Sequence, residues 1–96
     1  MRKSDEYLEL LYKAVMKLKN EKECEAFFED LCTPQELSAI AQRLHVASML
    51  TDGNVYNSIV DVTGASTATI SRVNKTLTYQ TAGGYKMVFD RMKGKK

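Results

Sequence analysis

Apolar residues recur every three or four positions along most of the chain, which is the period of an amphipathic α-helix. The first segment is predicted to be helical from about Ser4 to Lys19, with an apolar face of Tyr7, Leu11, Val15 and Leu18. No segment alternates strictly between apolar and polar residues, as a half-exposed β-strand would. The pattern therefore predicts an all-α protein with six helices.

Local capping signals divide this pattern into separate helices. Asn20 followed by Glu23 is typical of a helix start and predicts the beginning of the second helix. Thr33-Pro-Gln-Glu36 is the strongest signal, because a capping threonine, a proline in the first turn and a glutamate three residues after the cap form a capping box. The third helix should begin here, and the turn pair Asp52-Gly53 should end it.

Two short helices joined by a glycine turn are predicted after Gly53, and this is the arrangement of a helix-turn-helix unit. Asn54 is expected to cap the fourth helix and Ser66 the fifth, with Gly64 in the turn between them. The inner faces that should pack together comprise Val55, Ile59, Val60, Val62, Ile70, Val73 and Leu77. A sixth helix is expected after a break at Thr81-Ala-Gly-Gly84.

The fifth helix carries small hydroxyl side chains on the faces that its inner residues leave free. A recognition helix must approach base edges closely, so small side chains near its N-terminus suit insertion into the major groove of DNA. We predict base contacts from Thr67, Ala68 and Ser71, and contacts to the DNA backbone from Ser66, Thr69, Asn74 and Lys75. Arg72 could serve either DNA or an effector pocket. The same composition is also compatible with a packing helix of small residues.

The charge of the chain is distributed unevenly, although its sum is only +2. Residues 65–96 contain seven Lys or Arg and one Asp, whereas residues 1–32 contain six Lys or Arg and eight acidic residues. A local positive field attracts a polyanion even where the total charge is small. A basic tail at residues 93–96 accounts for part of the excess, but Arg72 and Lys75 lie in the predicted recognition helix, which favours double-stranded DNA as the partner.

Other classes of function find no support in the sequence. There is no GxSxG, HExxH or Walker motif, so we expect no catalytic activity. Cys24 and Cys32 lack zinc-site spacing and only His45 could join them, so no metal or cofactor is expected. No apolar run approaches the roughly 20 residues that span a bilayer, and the N-terminus lacks a signal-peptide core. A cytoplasmic protein without a membrane partner is therefore expected.

Three segments, in order, resemble the tryptophan repressor family and most closely its YerC/YecD-type branch. They are Leu31-Cys-Thr-Pro-Gln-Glu-Leu-Ser-Ala-Ile-Ala-Gln-Arg-Leu44, Leu50-Thr-Asp-Gly53 and Gly64-Ala-Ser-Thr-Ala-Thr-Ile-Ser-Arg72. The resemblance covers roughly residues 30–78 and implies a six-helix fold with a helix-turn-helix.

The resemblance also implies an intertwined homodimer. We interpret residues 1–96 as one domain, with dimerisation helices in 1–53, the helix-turn-helix in 54–78, and a C-terminal helix and basic tail in 79–96. The wide apolar face of the first helix, including Tyr7 and Tyr12, would then form part of the dimer core. Such a dimer would place two recognition helices in successive major grooves, so a pseudo-palindromic operator is expected.

A corepressor pocket between the central helices and the recognition helix is a further implication of the resemblance. The positions that match its contacts are Thr33, Arg43, Arg72, Val73 and Thr76. Two arginines can enclose a planar ligand and bind its carboxylate. Val73 stands where the tryptophan-binding repressors have glycine, and its bulk disfavours tryptophan. A different small-molecule corepressor, or none, remains open.

Together these observations predict a sequence-specific DNA-binding transcriptional regulator, expected to be a repressor. The alternative is a dimeric helical protein-interaction module that has lost specific DNA reading.

Overall fold

A computed structural model of the chain describes residues 3–79 and 82–94. These residues form the six helices α1 (Lys3–Val15), α2 (Glu21–Leu31), α3 (Pro34–Thr51), α4 (Tyr56–Thr63), α5 (Thr67–Tyr79) and α6 (Gly84–Met92). No strand occurs in the described ranges. The predicted all-α fold with six helices is therefore confirmed. The start of the predicted break, Thr81, and the last two residues of the basic tail, Lys95 and Lys96, lie outside the described residues.

The predicted caps of the second and third helices form. Asn20 Oδ1 accepts a hydrogen bond of 2.9 Å from the backbone N–H of Glu23. At the start of α3 the Thr33 N–H donates to Glu36 Oε1 at 2.8 Å, and the Glu36 N–H donates to Thr33 Oγ1 at 3.1 Å. The pKa of the Glu36 carboxyl is lowered, first by the hydrogen bond from the Thr33 backbone N–H and second by a hydrogen bond from the Thr33 side chain to the carboxylate. The reciprocal pair is a complete capping box.

Helix α1 is shorter than predicted, because it ends at Val15 and not at Lys19. The chain tightens after this helix, where the Lys17 N–H donates to the Ala14 carbonyl and the Leu18 N–H to the Val15 carbonyl. Such bonds, three residues apart, form a tighter turn than the α-helix. The apolar period continues through Leu18, so the period alone does not reveal this end.

The start of α4 also differs from the prediction. Val55, and not Asn54, is the N-cap residue, and it makes no side-chain capping bond. The Asn54 side chain instead donates from Nδ2 to the Met49 carbonyl at 3.0 Å, where the end of α3 leaves carbonyl groups in need of donors. Val55 and Val62 are 66% and 60% exposed, so their predicted place on the inner face was wrong.

The chain divides into two compact units, Met1–Leu37 and Ser38–Lys96, with the boundary inside α3. None of the described residues 3–37 of the first unit is buried. The second unit contains the hydrophobic core, which consists of Val46, Ala47, Ile59, Ala65, Ile70, Val73 and Phe89. Residues of α4 and α5 form part of this core, which holds the two helices of the predicted helix-turn-helix together. The interpretation of 1–53, 54–78 and 79–96 as functional segments stays a prediction.

Candidate nucleic-acid interface

Helices α4 and α5 pack against each other through the residues predicted for this contact. Ile59 and Ile70 are fully buried and Val73 is 2% exposed, while Val60 packs against this cluster. Gly64 ends α4 with a φ of 72°, and its N–H donates to the Val60 carbonyl at 2.9 Å. A positive φ of this size is a conformation that glycine adopts at little cost. The turn and the pair of helices therefore have the geometry of a helix-turn-helix.

Ser66 caps α5, as predicted. Its Oγ accepts a hydrogen bond of 3.1 Å from the backbone N–H of Thr69 and donates to Thr69 Oγ1 at 3.1 Å. The first N–H groups of any helix lack partners within the helix and carry partial positive charge. A phosphate oxygen placed beside Ser66 would meet these groups. The cap thus fixes the start of α5 in a form suited to a DNA backbone contact.

Five of the predicted contact residues form one exposed edge of α5, which we call the reading edge. They are Thr67, Ala68, Ser71, Arg72 and Lys75, and each is exposed. At 3.6 residues per turn these positions span roughly 140° of the helix circumference, and Ile70 and Val73 lie on the opposite side. Of the other predicted DNA contacts, Ser66 is exposed and Thr69 and Asn74 are half-buried. The core therefore directs the small side chains of α5 outward.

The predicted pocket residues have different surroundings. Thr33 caps α3 in the first unit, whereas Arg43, Arg72 and Thr76 are exposed side chains of the second. Val73 belongs to the core and does not present its side chain at the surface of the single chain. Thr76 Oγ1 donates to the Arg72 carbonyl at 3.3 Å.

A mainly apolar cavity of about 420 Å³ lies beside α5 in the second unit. Its lining includes Leu44, Thr76, Leu77, Tyr85 and Val88. Thr76 is thus the member of the predicted pocket set that lines this cavity. Whether the predicted set binds an effector stays a prediction.

Sequence reasoning missed one tertiary contact beside the interface. Gln42 on α3 donates from Nε2 to the backbone carbonyl oxygen of Thr63 at 3.1 Å, across 21 positions of sequence. Helical periodicity places Gln42 one turn before the buried Val46. It gives no information about the partner of the side-chain amide, because that partner is a backbone atom of another helix.

The part of the chain that the structure describes contains neither a candidate metal site nor a helix that could span a membrane. Residues 3–79 and 82–94 contain no group of three or more His, Cys, Asp or Glu side chains able to hold a metal ion. Cys24 and Cys32 are half-buried free thiols. Within the same ranges, none of the helices combines the length and apolar character needed to cross a bilayer.

The fold and the exposed α5 define an all-α protein with a helix-turn-helix. The model of the Trp repressor protein family matches residues 6–93, so the chain belongs to the Trp repressor family. This is a regulatory family and not a family of enzymes. The resemblance inferred from the sequence is confirmed.

Individual relatives agree with this assignment. The chain is 50% identical over 86 residues to YerC, an uncharacterized protein of Bacillus subtilis strain 168, with 90% of this chain and 82% of YerC covered. It superposes with a TM-score of 0.87 on the crystal structure of a TrpR-like protein from Eubacterium eligens, at 44% identity, covering 95% of this chain and 93% of that one. A Staphylococcus aureus protein provisionally described as a Trp repressor gives a TM-score of 0.86 at 45% identity, covering 91% and 86% of the two chains.

Proposed function

We propose that this protein is a sequence-specific DNA-binding transcriptional regulator that represses its target by occupying a pseudo-palindromic operator. The observation that carries the proposal is the reading edge of α5, whose side chains are exposed opposite a buried apolar face. Thr67, Ala68 and Ser71 are small enough to approach base edges in the major groove. Arg72 and Lys75 add positive charge toward the phosphates.

Homodimer formation is part of the proposal, and the first unit supports it. Its apolar side chains find no core within the unit, since Tyr7, Leu10 and Tyr12 are 67%, 68% and 61% exposed. Leaving side chains of this size in water forgoes roughly 1.5–3 kcal/mol each. A second copy that covers them would recover this free energy and would bring two reading edges to one operator.

The effector remains the open part of the proposal. Arg43, Arg72 and Thr76, the exposed members of the predicted pocket set in the second unit, are retained as candidate contacts for a small-molecule corepressor. Tryptophan is disfavoured because the valine side chain at position 73 fills space that a glycine would leave free. We also propose that the protein acts in the cytoplasm, where its DNA target would be reached.

The experiment that tests the proposal is the selection of bound duplexes from a random pool with the purified full-length chain. We expect recovery of a two-fold symmetric motif whose half-sites are about 10 base pairs apart, centre to centre. A Ser71→Glu variant is the matched control, because its exposed carboxylate should repel DNA without disturbing the core. It should recover no motif.

The opposite outcome favours the alternative function. If the wild-type chain recovers no motif and its duplex affinity is weak and quenched by salt for every sequence, specific DNA reading is ruled out. The dimeric helical interaction module would then be the better description.

A further inference from the structure

A polar contact joins the body of the second unit to the turn of the helix-turn-helix. The half-buried Gln42 side chain donates from Nε2 to the Thr63 carbonyl oxygen at 3.1 Å. Thr63 is the last residue of α4, and the last four carbonyls of a helix have no partner within it. The glutamine amide of α3 therefore supplies a donor that α4 itself cannot provide.

The side-chain hydroxyl of Thr63 makes further hydrogen bonds that fix the turn. Its Oγ1 donates to the Ile59 carbonyl at 2.7 Å and accepts a hydrogen bond of 3.1 Å from the backbone N–H of Ala65. Ala65 is 2% exposed and directly precedes Ser66, the cap of α5. Polar contacts thus run from α3 through Thr63 to Ala65, the residue before the Ser66 cap of α5.

We infer that Gln42 is a positioning residue for DNA reading: its amide fixes the direction in which α5 leaves the turn. The inference rests on the proposed function. The apolar contacts among Val46, Ile59 and Ile70 hold the helices together, but apolar attraction is not directional. A hydrogen bond weakens steeply when its angle departs from linear. The bond between Gln42 and Thr63 therefore resists small rotations of the helix-turn-helix that the core alone would tolerate.

The rotational freedom of the helix-turn-helix matters for DNA binding because it determines which spacings between two half-sites a dimer can bind. One added base pair moves a half-site by about 3.4 Å along the DNA and turns it by roughly 35° about the helix axis. A dimer in which both α5 helices are held against rotation rejects the lengthened site. A dimer whose helices can rotate accepts both sites. Spacing discrimination is therefore the property that Gln42 should control.

The test compares five chains on three duplexes. The duplexes are the motif selected by the wild-type protein, the same motif with one base pair inserted at its centre, and an unrelated sequence. The chains are wild type, Gln42→Met, Gln42→Glu, Gln42→Lys and Gln35→Met.

Each substitution at position 42 changes the donor in a defined way. Methionine keeps the length of the side chain without a donor, and glutamate replaces the donor by an acceptor. Lysine restores a donor at a helix C-terminus, where positive charge is favourable. Gln35 is an exposed glutamine of the same helix and serves as the matched control.

The readout is the ratio of affinities for the normal and the lengthened motif, measured after titration of the active protein fraction. Wild type, Gln35→Met and Gln42→Lys should prefer the normal spacing by about tenfold or more. Gln42→Met and Gln42→Glu should reduce the preference to about twofold. Their affinity for the unrelated duplex should stay close to that of wild type, because the phosphate contacts are unaffected.

The possible outcomes distinguish a failure of this inference from a failure of the proposed DNA-binding function. A purely structural role for Gln42 would lower the active fraction and leave the spacing ratio unchanged. An unchanged ratio in both Gln42→Met and Gln42→Glu would overturn the inference while the proposed function stands. If the wild-type chain recovers no two-fold motif, the proposed function fails, and the positioning role fails with it.

Discussion

At the scale of single residues, Ser66 has an observed role as a helix cap and a proposed role in DNA binding, and a pair of substitutions can separate the two. Its Oγ caps α5 by accepting the Thr69 N–H, and we propose that it also lies beside a DNA phosphate. Ser66→Ala removes the cap and should lower the free energy of unfolding by about 1 kcal/mol. Ser66→Asp keeps a capping oxygen and places negative charge at a helix N-terminus, so stability should be retained.

The two variants should therefore rank differently in stability and in DNA binding. Ser66→Asp should be the more stable variant and the weaker DNA binder, because its carboxylate repels phosphate. Urea unfolding and duplex titration measure the two properties. Equal DNA affinity for Ser66→Asp and wild type would show that no phosphate lies beside this residue.

Glu36 makes the stability of the chain depend on pH through its capping box. The hydrogen bonds from Thr33 lower the pKa of the folded-state carboxyl below its ordinary value. A lowered folded-state pKa contributes stability that is complete above the ordinary carboxyl pKa and is lost as pH falls through the lowered value. Glu36→Gln keeps a side-chain acceptor for the Thr33 N–H but cannot titrate.

The measurement for Glu36 is the urea midpoint of both proteins at pH 7 and below about pH 4. Wild type should be the more stable protein at pH 7, and the difference should shrink in acid. The effect should be small, because the carboxylate is exposed to solvent. A difference that does not change with pH would contradict the assigned cause of the pKa shift.

The residues that sequence reasoning placed correctly are mainly those whose roles are local. The caps at Asn20, Thr33 and Ser66 depend on atoms three residues away, so a short motif predicts them. Asn54 failed because two nearby helix ends compete for its side chain, and the end of α3 takes it. The contact of Gln42 depends on which helices meet, which no local motif encodes.

At the scale of elements, α5 should read sequence through its small side chains. A serine or threonine hydroxyl can donate to or accept from a base edge, and alanine can do neither. Ser71→Ala and Thr67→Ala should each cost about 1–3 kcal/mol at the selected motif and relax sequence preference at one base position. Repeating the duplex selection with each variant measures this. An unchanged motif would place these residues away from the bases.

Lys75 on the same helix should behave differently, because a phosphate contact carries no sequence information. Lys75→Ala should weaken binding to all duplexes alike and reduce the slope of log affinity against log salt by about 1. Lys17→Ala, at an exposed lysine beyond the end of α1, is the matched control and should leave the slope unchanged. A loss confined to the selected motif, with an unchanged slope, would contradict the assignment of Lys75 to the backbone.

The helices themselves could be predicted from the sequence, whereas some of their ends and faces could not. All six follow from the apolar period and the capping residues. The inner face assigned to α4 was wrong at Val55, which is the N-cap and precedes the helix, and at Val62. A helix of two turns buries few positions, so the period does not determine which apolar residue faces inward. For α5 the longer pattern of Ile70, Val73 and Leu77 determined the face correctly.

At the scale of the whole molecule, the absence of a buried residue among described residues 3–37 leads to the prediction of an obligate dimer. If a second copy covers α1, the free energy of unfolding includes dissociation, and the unfolding midpoint should rise with protein concentration. Leu10→Lys would place a charge in the shared core. It should cost at least about 2 kcal/mol per chain through lost apolar burial alone.

A substitution on the same helix controls for the added charge. Ser4 is an exposed polar residue of α1, so Ser4→Lys adds the same charge and should leave assembly intact. Sedimentation equilibrium should show dimers for wild type and Ser4→Lys at concentrations where Leu10→Lys dissociates. A wild-type chain that sediments as a monomer, with a midpoint independent of concentration, would contradict the dimer. It would also remove the basis for two-fold operators, because one chain presents one reading edge and has no second helix whose spacing the DNA could match.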